Sequence, residues 1–464
     1  MKKALDLEIS DVLLSKLPAR IALHYSILPL AQENSSLKLA VPHDLPHETK
    51  EELKVILGKN LEFCPYPRRE LEALISKLYG VGADTIEVLT QEKEDESESG
   101  DFELIDQDQN QKATVIRLVN ELLLDALKER ASDVHIEPFE KSFRIRYRVD
   151  GLLQEPRVAE KIRLLAPSLI SRIKIMASLD ISEKRLPQDG RIKIKRAGGA
   201  LDLRVSVLPS SAGEAIVIRI LKSLELLELG ELGFGQEAIL EIKASLKKPH
   251  GMILVTGPTG SGKTTTLYAS LKELNTLERK IITIEDPIEY KLPGIIQMQA
   301  NPKIGFTFAK ALRSMLRHDP DCLMVGEIRD QETAEIAIRS ALTGHLVLST
   351  LHTNNAPSAV TRLLDMGIEP YLVSSSVEAV LAQRLIRKVC PPCEQCHHTG
   401  FFGRTVVYEL MTLTETIKQM VLDRKSASLI RRQASQEGMI SLWDEGMKKV
   451  KKGLTTIDEI KRMV

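Results

Sequence analysis

The chain has 464 residues, room for roughly three domains at about 150 residues each. Its 64 basic and 64 acidic residues cancel, so no global basic field exists to grip nucleic acid. Five cysteines, an odd number, together with no apolar run long enough to cross a bilayer and no apolar stretch in MKKALDLEIS, argue against a disulfide-stapled secreted chain or a membrane-spanning one and predict a cytoplasmic protein.

Residues 1–90 mix helical and strand patterns and predict a small α/β adaptor domain. Ile21 to Leu30 has the pattern of an entry into a strand pair, and Leu37 to Val41 alternates like a half-buried strand. Glu51–Leu57 and Arg69–Leu78 have helical spacing. Residues 91–112, QEKEDESESGDFELIDQDQNQK, are acidic and poor in apolar side chains. Such a segment cannot bury enough surface to offset its ordering entropy, and a flexible linker is expected.

A second α/β domain is expected over residues 113–228. Val115, Leu118, Val119, Leu122, Leu123, Ala126 and Leu127 share one helical face. Alternating strands follow at Val134–Ile136 and Phe143–Val149, with an Asp150-Gly151 turn, then at Arg191–Lys195, Leu201–Val207 and Ala215–Leu221. Many of these strands carry arginines, which on an ordinary sheet are solvated face residues.

Residues 229–388 alternate short apolar strands with helical stretches, the pattern of a parallel sheet covered on both faces. Met252–Thr256 is a buried strand. It runs into Gly257, Pro258, Thr259, Gly260, Ser261, Gly262, Lys263 and Thr264, which match G-x-x-x-x-G-K-[ST] between a strand and a helix, with Thr265 next as a further candidate nucleotide-binding residue. Glycines let successive backbone N–H groups point at one phosphate chain, Lys263 supplies charge, and the Thr264 hydroxyl is placed for Mg²⁺. Ile281–Ile284 ends at Glu285, Cys322–Val325 at Gly326-Glu327, and Leu346–Thr350 precedes His352. Ligands of such sheets sit at the carboxyl ends of strands, so this loop, Glu285, Glu327 and His352 are expected to converge. Glu327 is the expected acid for orienting or deprotonating water.

Residues 389–404 hold Cys390, Cys393 and Cys396. Helical patterns at 417–422, 428–436 and 442–450, and a last one after Thr455, make 405–464 an expected helical subdomain.

The phosphate loop, Ile284-Glu285-Asp286-Pro287-Ile288-Glu289, Val325-Gly326-Glu327-Ile328-Arg329-Asp330 and Thr343-Gly344-His345…Leu351-His352-Thr353 together resemble the Walker A, aspartate, Walker B and histidine boxes of one superfamily. It is the secretion ATPase superfamily of type II secretion and type IV pilus assembly (GspE/PilB-like). Ala131–Pro138, Arg204-Val205-Ser206 and Gly213-Glu214…Ile218-Arg219 resemble segments of its second N-terminal, PAS-like domain, so the similarity runs from about residue 113 to the end. The resemblance implies a RecA-like ATPase core that binds ATP and Mg²⁺, preceded by a smaller α/β domain, in a homohexameric ring. It implies that Arg204 and Arg219 reach the phosphates, that Glu327 serves as base with Glu285 beside it, and that His345 and His352 sense the γ-phosphate. Type II secretion is favoured over pilus extension, with a DNA-translocating motor a weaker alternative. Residues 1–90 would then dock on the cytoplasmic domain of an inner-membrane protein, near the platform protein, with no nucleic acid bound. Many secretion and extension ATPases of the superfamily carry two Cys-x-x-Cys pairs that close a four-thiolate zinc site. Here Cys390, Cys393 and Cys396 supply three thiolates, with His397 or His398 adjacent, and a shortened metal-free loop of reduced thiols is expected.

Overall fold

The computed structural model describes the chain apart from residues 1–8, 34–35, 59, 84, 87–106, 159–160, 197–198, 222–226, 391–395 and 397–398, and apart from the side chains of 33, 73, 76–77, 107–113, 195–196 and 199–200. Two units divide it, residues 1–222 and 223–464.

In the first unit, short helices Asp11–Leu14 and Ala19–Tyr25 lead into β1 (Leu28–Glu33), β2 (Ser36–Pro42) and β3 (Asn60–Tyr66). β2 lies in the middle, antiparallel to β1 and parallel to β3. Helices His47–Leu57 and Arg68–Tyr79 cover the sheet, and Leu17, Ile27, Leu39, Leu53, Leu71 and Ile75 form its core. The strand expected from Ile21 is corrected for its first half. Ala19 and Ala22, three apart, are buried while Leu23 is exposed, a helical burial pattern. Ser26, left-handed at φ +53°, then turns the chain into β1. The acidic segment 91–106 lies outside the described residues, and a helix, Gln107–Lys128, begins within the stretch assigned to the linker.

That helix and Ile162–Met176 pack on one face of a six-stranded antiparallel sheet ordered β6-β5-β4-β9-β8-β7. Its strands are β4 (Asp133–Pro138), β5 (Phe143–Val149), β6 (Leu152–Gln154), β7 (Gln188–Arg196), β8 (Gly199–Ser210) and β9 (Gly213–Leu221). Pattern alone does not mark Ile162–Met176, because Pro167 sits inside it. Strand residues alternate in direction, so Val134, Ile136, Ile145, Tyr147, Leu203, Val205, Ile216 and Ile218 face the helices. The opposite face carries the arginines. Lys174, wholly buried, donates to Glu214 Oε1 at 2.6 Å and to the Glu183 carbonyl at 2.8 Å.

The second unit is built on a seven-stranded sheet ordered β12-β11-β13-β14-β10-β15-β16. The strands are β10 (Gly251–Thr256), β11 (Ile281–Glu285), β12 (Ile296–Gln299), β13 (Cys322–Val325), β14 (Leu346–Leu351), β15 (Val377–Val389) and β16 (Phe401–Thr412). β10 and β14 are buried at every residue, as a sheet covered on both faces requires. All neighbours are parallel except β16, which returns antiparallel to β15. Phe401–Thr412 therefore corrects the expectation that residues from 405 onward are helical. Thr405, Val406 and Val407 are β-branched, buried and paired to Ile386, Leu385 and Arg384. Four helices follow, Glu415–Leu422, Ala427–Gln436, Leu442–Lys451 and Ile457–Met463.

Removing one partner of a buried ion pair strands the other charge, at about 3–5 kcal/mol. Lys174→Met is therefore expected to destabilise the six-stranded unit by about that amount. Urea unfolding monitored on this unit checks it; an unchanged midpoint would show that Glu214 is solvated.

Candidate functional site

Five parallel strand ends meet at one edge of the seven-stranded sheet. β10 ends in the loop 257–262, and the helix Lys263–Leu274 starts directly after it. Gly262 stands at the helix N-cap with φ +88°, so no side chain occupies the cap and the first N–H groups stay available. At Gly257 a Cβ would lie 2.6 Å from both the Gln383 carbonyl and Ser261 Oγ, so the turn closes only with glycine. Pro258, Thr259 and Gly260 form the exposed crest; Thr264 is exposed on the first helical turn, with half-buried Thr265 after it. Among the described residues Ser261 Oγ is buried without a hydrogen-bond partner. A phosphate chain fits this cradle: it accepts from free N–H groups at a helix start and from an unpartnered hydroxyl.

Lys263 is folded into the same cradle. It is 9 % exposed, and its ammonium donates to the Gly257 carbonyl at 2.8 Å and the Pro258 carbonyl at 3.0 Å. Burial pushes its pKa down to about 8; Glu327 opposes the shift and Arg384 adds to it.

Glu327 follows β13. The backbone around it is pinned on both sides: Gly326 N–H donates to the Ile284 carbonyl at 2.8 Å and Ile328 N–H to the Thr350 carbonyl at 3.0 Å. One carboxylate oxygen meets Arg329 at 2.5 Å, and the other lies 3.2 Å from His352 Nε2. The segment after β14 that carries His352 is tied back to β10, since Thr353 N–H donates to Thr256 Oγ1 at 2.9 Å and the two hydroxyls are 2.8 Å apart. The expected convergence of the loop, Glu327 and His352 at one sheet edge is observed.

Glu285 lies at the same edge, 3 % exposed, and its oxygens are already taken. Oε1 accepts from Thr283 at 2.6 Å and Gln297 at 3.1 Å, and Oε2 accepts from the Tyr268 hydroxyl. A carboxylate so engaged braces β11 against the helix that follows the phosphate loop.

His345 is elsewhere. It precedes β14, at the amino edge of the sheet, and its Nδ1 is 3.0 Å from the Ser340 carbonyl. Six strand residues, about 20 Å, separate that edge from the carboxyl one. Pairing His345 with His352 as sensors of one phosphate is therefore corrected for this chain's own loop: a spacing of seven crosses a whole strand.

Arg204 and Arg219 lie in the first unit, opposite each other on β8 and β9, and Arg191 on β7 is opposite Arg204. Like charges facing each other across strands cost stability. Asp133 takes Arg219 Nε at 2.9 Å, while Arg204 Nε is buried with no partner among the described residues. This face has more positive charge than it neutralises.

Cys390 closes the β15–β16 hairpin, its N–H donating to the Gly400 carbonyl at 2.8 Å, and Cys396 is buried. Cys393, His397 and His398 lie outside the described residues.

Sequence patterns miss Gln383 and Arg384, both buried on β15. Gln383 donates to the Ser261 carbonyl at 2.8 Å and accepts from Thr266 Oγ1 at 2.9 Å. Arg384 donates to the carbonyls of Gln383 and Asn354 at 3.0 and 2.9 Å. Their available signal is a polar pair within the apolar run Val380-Leu381-Ala382…Leu385-Ile386.

The Type II/IV secretion system protein family profile matches residues 108–462, and the MshEN domain profile matches residues 3–85. The type II secretion system protein E of Aeromonas hydrophila is 43 % identical, over 97 % of this chain and 96 % of that protein. The type IV pilus assembly ATPase PilB of Myxococcus xanthus is 41 % identical, over 98 % and 87 %. Among solved structures, the pilus retraction motor PilT with bound ADP is 28 % identical with a TM-score of 0.52, over 74 % of this chain and 95 % of that one. The seven-stranded unit is thus a RecA-like ATPase fold, and the chain belongs to the Type II/IV secretion system protein family.

Proposed function

We propose that this protein is an ATPase that hydrolyses ATP, with Mg²⁺, to drive pseudopilus assembly and export in a type II secretion system. The observation that carries this reading is the meeting of the glycine cradle and Lys263 with the Glu327–His352 pair at one sheet edge. The helix start and cradle N–H groups bind the phosphates, Lys263 exchanges its two carbonyl partners for phosphate oxygens, and Thr264 binds the metal ion. A magnesium ion held by the Thr264 hydroxyl would supply positive charge that offsets the charge of the phosphates. Glu327 orients water or takes its proton, held in place by Arg329, while His352 reports on the γ-phosphate through its contact with Glu327. Glu285 acts as a brace. Arg204 and Arg219 supply positive charge to the phosphoryl group in its transition state.

The assembly in this reading is a homohexamer. The MshEN-matching region docks on the cytoplasmic domain of an inner-membrane protein, beside the platform protein, with no nucleic acid bound. The protein is then cytoplasmic and held at the inner membrane by these partners; no described helix is long and apolar enough to cross a membrane. The domain scheme follows: an adaptor at 1–90, a linker at 91–112, the arginine-bearing domain at 113–228, the ATPase core from 229 and a cysteine loop at 389–404 that holds no zinc. Pilus extension is the second reading, favoured by the Myxococcus xanthus protein's match over nearly the whole chain. The Aeromonas hydrophila secretion protein matches as completely and at slightly higher identity.

ATPase assays with nucleotide titrations test the site. Lys263→Ala is expected to weaken ATP binding about tenfold to a hundredfold, because it removes a charged donor from the phosphates. Glu327→Gln should retain ATP and lose turnover by about a hundredfold or more. Turnover at the parent rate in the Gln variant would remove Glu327 from its role.

The pH dependence has a definite sign. Phosphates favour the Lys263 ammonium, which the free protein loses above about pH 8. ADP affinity should be flat below pH 7 and then fall by up to about tenfold per pH unit above 8, with proton uptake on binding. Calorimetric titration from pH 7 to 9.5 measures both, and a flat profile rejects the linkage.

Arg204→Ala and Arg219→Ala should each lower turnover by roughly a hundredfold while changing ADP affinity far less. Equal turnover in variant and parent would make them ordinary sheet-face residues.

A further inference from the structure

β15 is the sheet neighbour of β10 on the side away from β14. The two strands stay in register to Thr256 opposite Ala382, and β15 then continues past the edge where the phosphate loop turns. The next two residues are Gln383 and Arg384, 1 % and 7 % exposed. Buried polar side chains cost free energy unless they are satisfied. These two satisfy themselves on the two loops that make the site.

Gln383 uses both ends of its amide on the phosphate loop and its helix. Nε2 donates to the Ser261 carbonyl at 2.8 Å, and Oε1 accepts from Thr266 Oγ1 at 2.9 Å. Its main-chain carbonyl lies against Gly257 so closely that a Cβ there would come within 2.6 Å. The same carbonyl accepts from Arg384 Nη1 at 3.0 Å. Arg384 Nη2 reaches the Asn354 carbonyl at 2.9 Å, two residues beyond His352. His352 in turn touches Glu327 at 3.2 Å. The counter-charge that acts on Arg384 is buried Glu409, which accepts from Ala356 N–H at the start of the following helix. An unbroken chain of hydrogen bonds thus joins the loop that cradles phosphates to the segment that carries His352.

We propose that Gln383 and Arg384 are positioning residues for hydrolysis. Gln383 fixes the phosphate loop, and Arg384 fixes the His352 segment relative to it, so that the γ-phosphate and the Glu327–His352 pair are held in register. The inference rests on the reading of 257–264 as the phosphate loop and of Glu327 as the acid. A guanidinium is suited to the link because its planar fork bridges two carbonyls at once, which an ammonium on a flexible stem does not reproduce. Small displacements of reacting groups cost large factors in rate, so a loosened link lowers turnover more than affinity.

The test uses the full-length protein, with ADP affinity, kcat, KM for ATP and melting temperature measured on each variant. Arg384→Lys keeps the buried charge opposite Glu409. It is expected to melt like the parent, to bind ADP within about twofold, and to lose kcat by about ten- to a hundredfold. Gln383→Met removes both amide bonds at similar volume and is expected to weaken ADP binding about tenfold. Gln383→Glu, which keeps acceptance from Thr266 and loses donation to Ser261, should weaken it too, and it serves if the Met variant does not fold. On the Arg384→Lys background, His352→Ala should cost less turnover than it does alone, because the link it depends on is already loose. Additive losses in that pair overturn the inference, as does parental kcat in Arg384→Lys. A joint fall of melting temperature, affinity and kcat in Arg384→Lys also overturns it, by reducing the residue to a structural role. If Lys263→Ala and Glu327→Gln are themselves silent, the phosphate-site reading falls and takes this inference with it. If those two behave as expected while the β15 variants match the parent, only this inference falls.

Discussion

A lysine ammonium taken out of water is the interaction on which the site depends. Lys263 gives up solvent for two loop carbonyls, and burial lowers its proton affinity toward neutrality. The cost of that desolvation is tolerable only in a loop that folds back on itself, which Gly257 and Gly262 permit. The loop in turn keeps its shape because β10 is buried on both faces and flanked by β14 and β15. The cation, the cradle and the helix start therefore form one electrostatic object, complementary to a polyphosphate.

The two units use opposite strategies with charge. Around β10 nearly every charge is compensated: Glu327 has Arg329, Glu285 has three donors and Arg384 has two carbonyls. Across β7, β8 and β9 three arginines stand in one row with Asp133 engaging only the end of it. Cross-strand repulsion of that kind weakens the sheet that carries it, and an anion relieves it. Below that face the unit holds its helix Ile162–Met176 through Lys174 and Glu214, a pair buried far from solvent screening.

Much of this is legible in sequence, for physical reasons. Short apolar runs that end in Gly, Glu or His declare buried parallel strands and their functional ends, and glycine spacing declares the phosphate loop. Two features are harder to see. Strand periodicity has no marker for which edge of a sheet a residue occupies, so His345 and His352 look like neighbours although a full strand lies between them. The β15–β16 ribbon is masked by the cysteine stretch at its turn and by the helices after it, and its register emerges only from pairing. Gln383 and Arg384 belong to that ribbon. Their role depends on what the strand passes, which one-dimensional spacing does not record.

The strand order also governs how the protein is made. β10 finds its sheet partners far along the chain: Thr256 pairs with Leu351, 95 residues later, and Ser261 waits 122 residues for Gln383. Synthesis at about 5–20 residues per second leaves β10, apolar from Met252 to Val255, without β14 for roughly 5 to 19 seconds and without β15 for roughly 6 to 24 seconds. During that interval its backbone donors and acceptors are open to any passing strand. The topology that encloses the phosphate loop so completely thus obliges the growing chain to carry an adhesive segment, and it places a premium on chaperone protection between the emergence of β10 and that of β15.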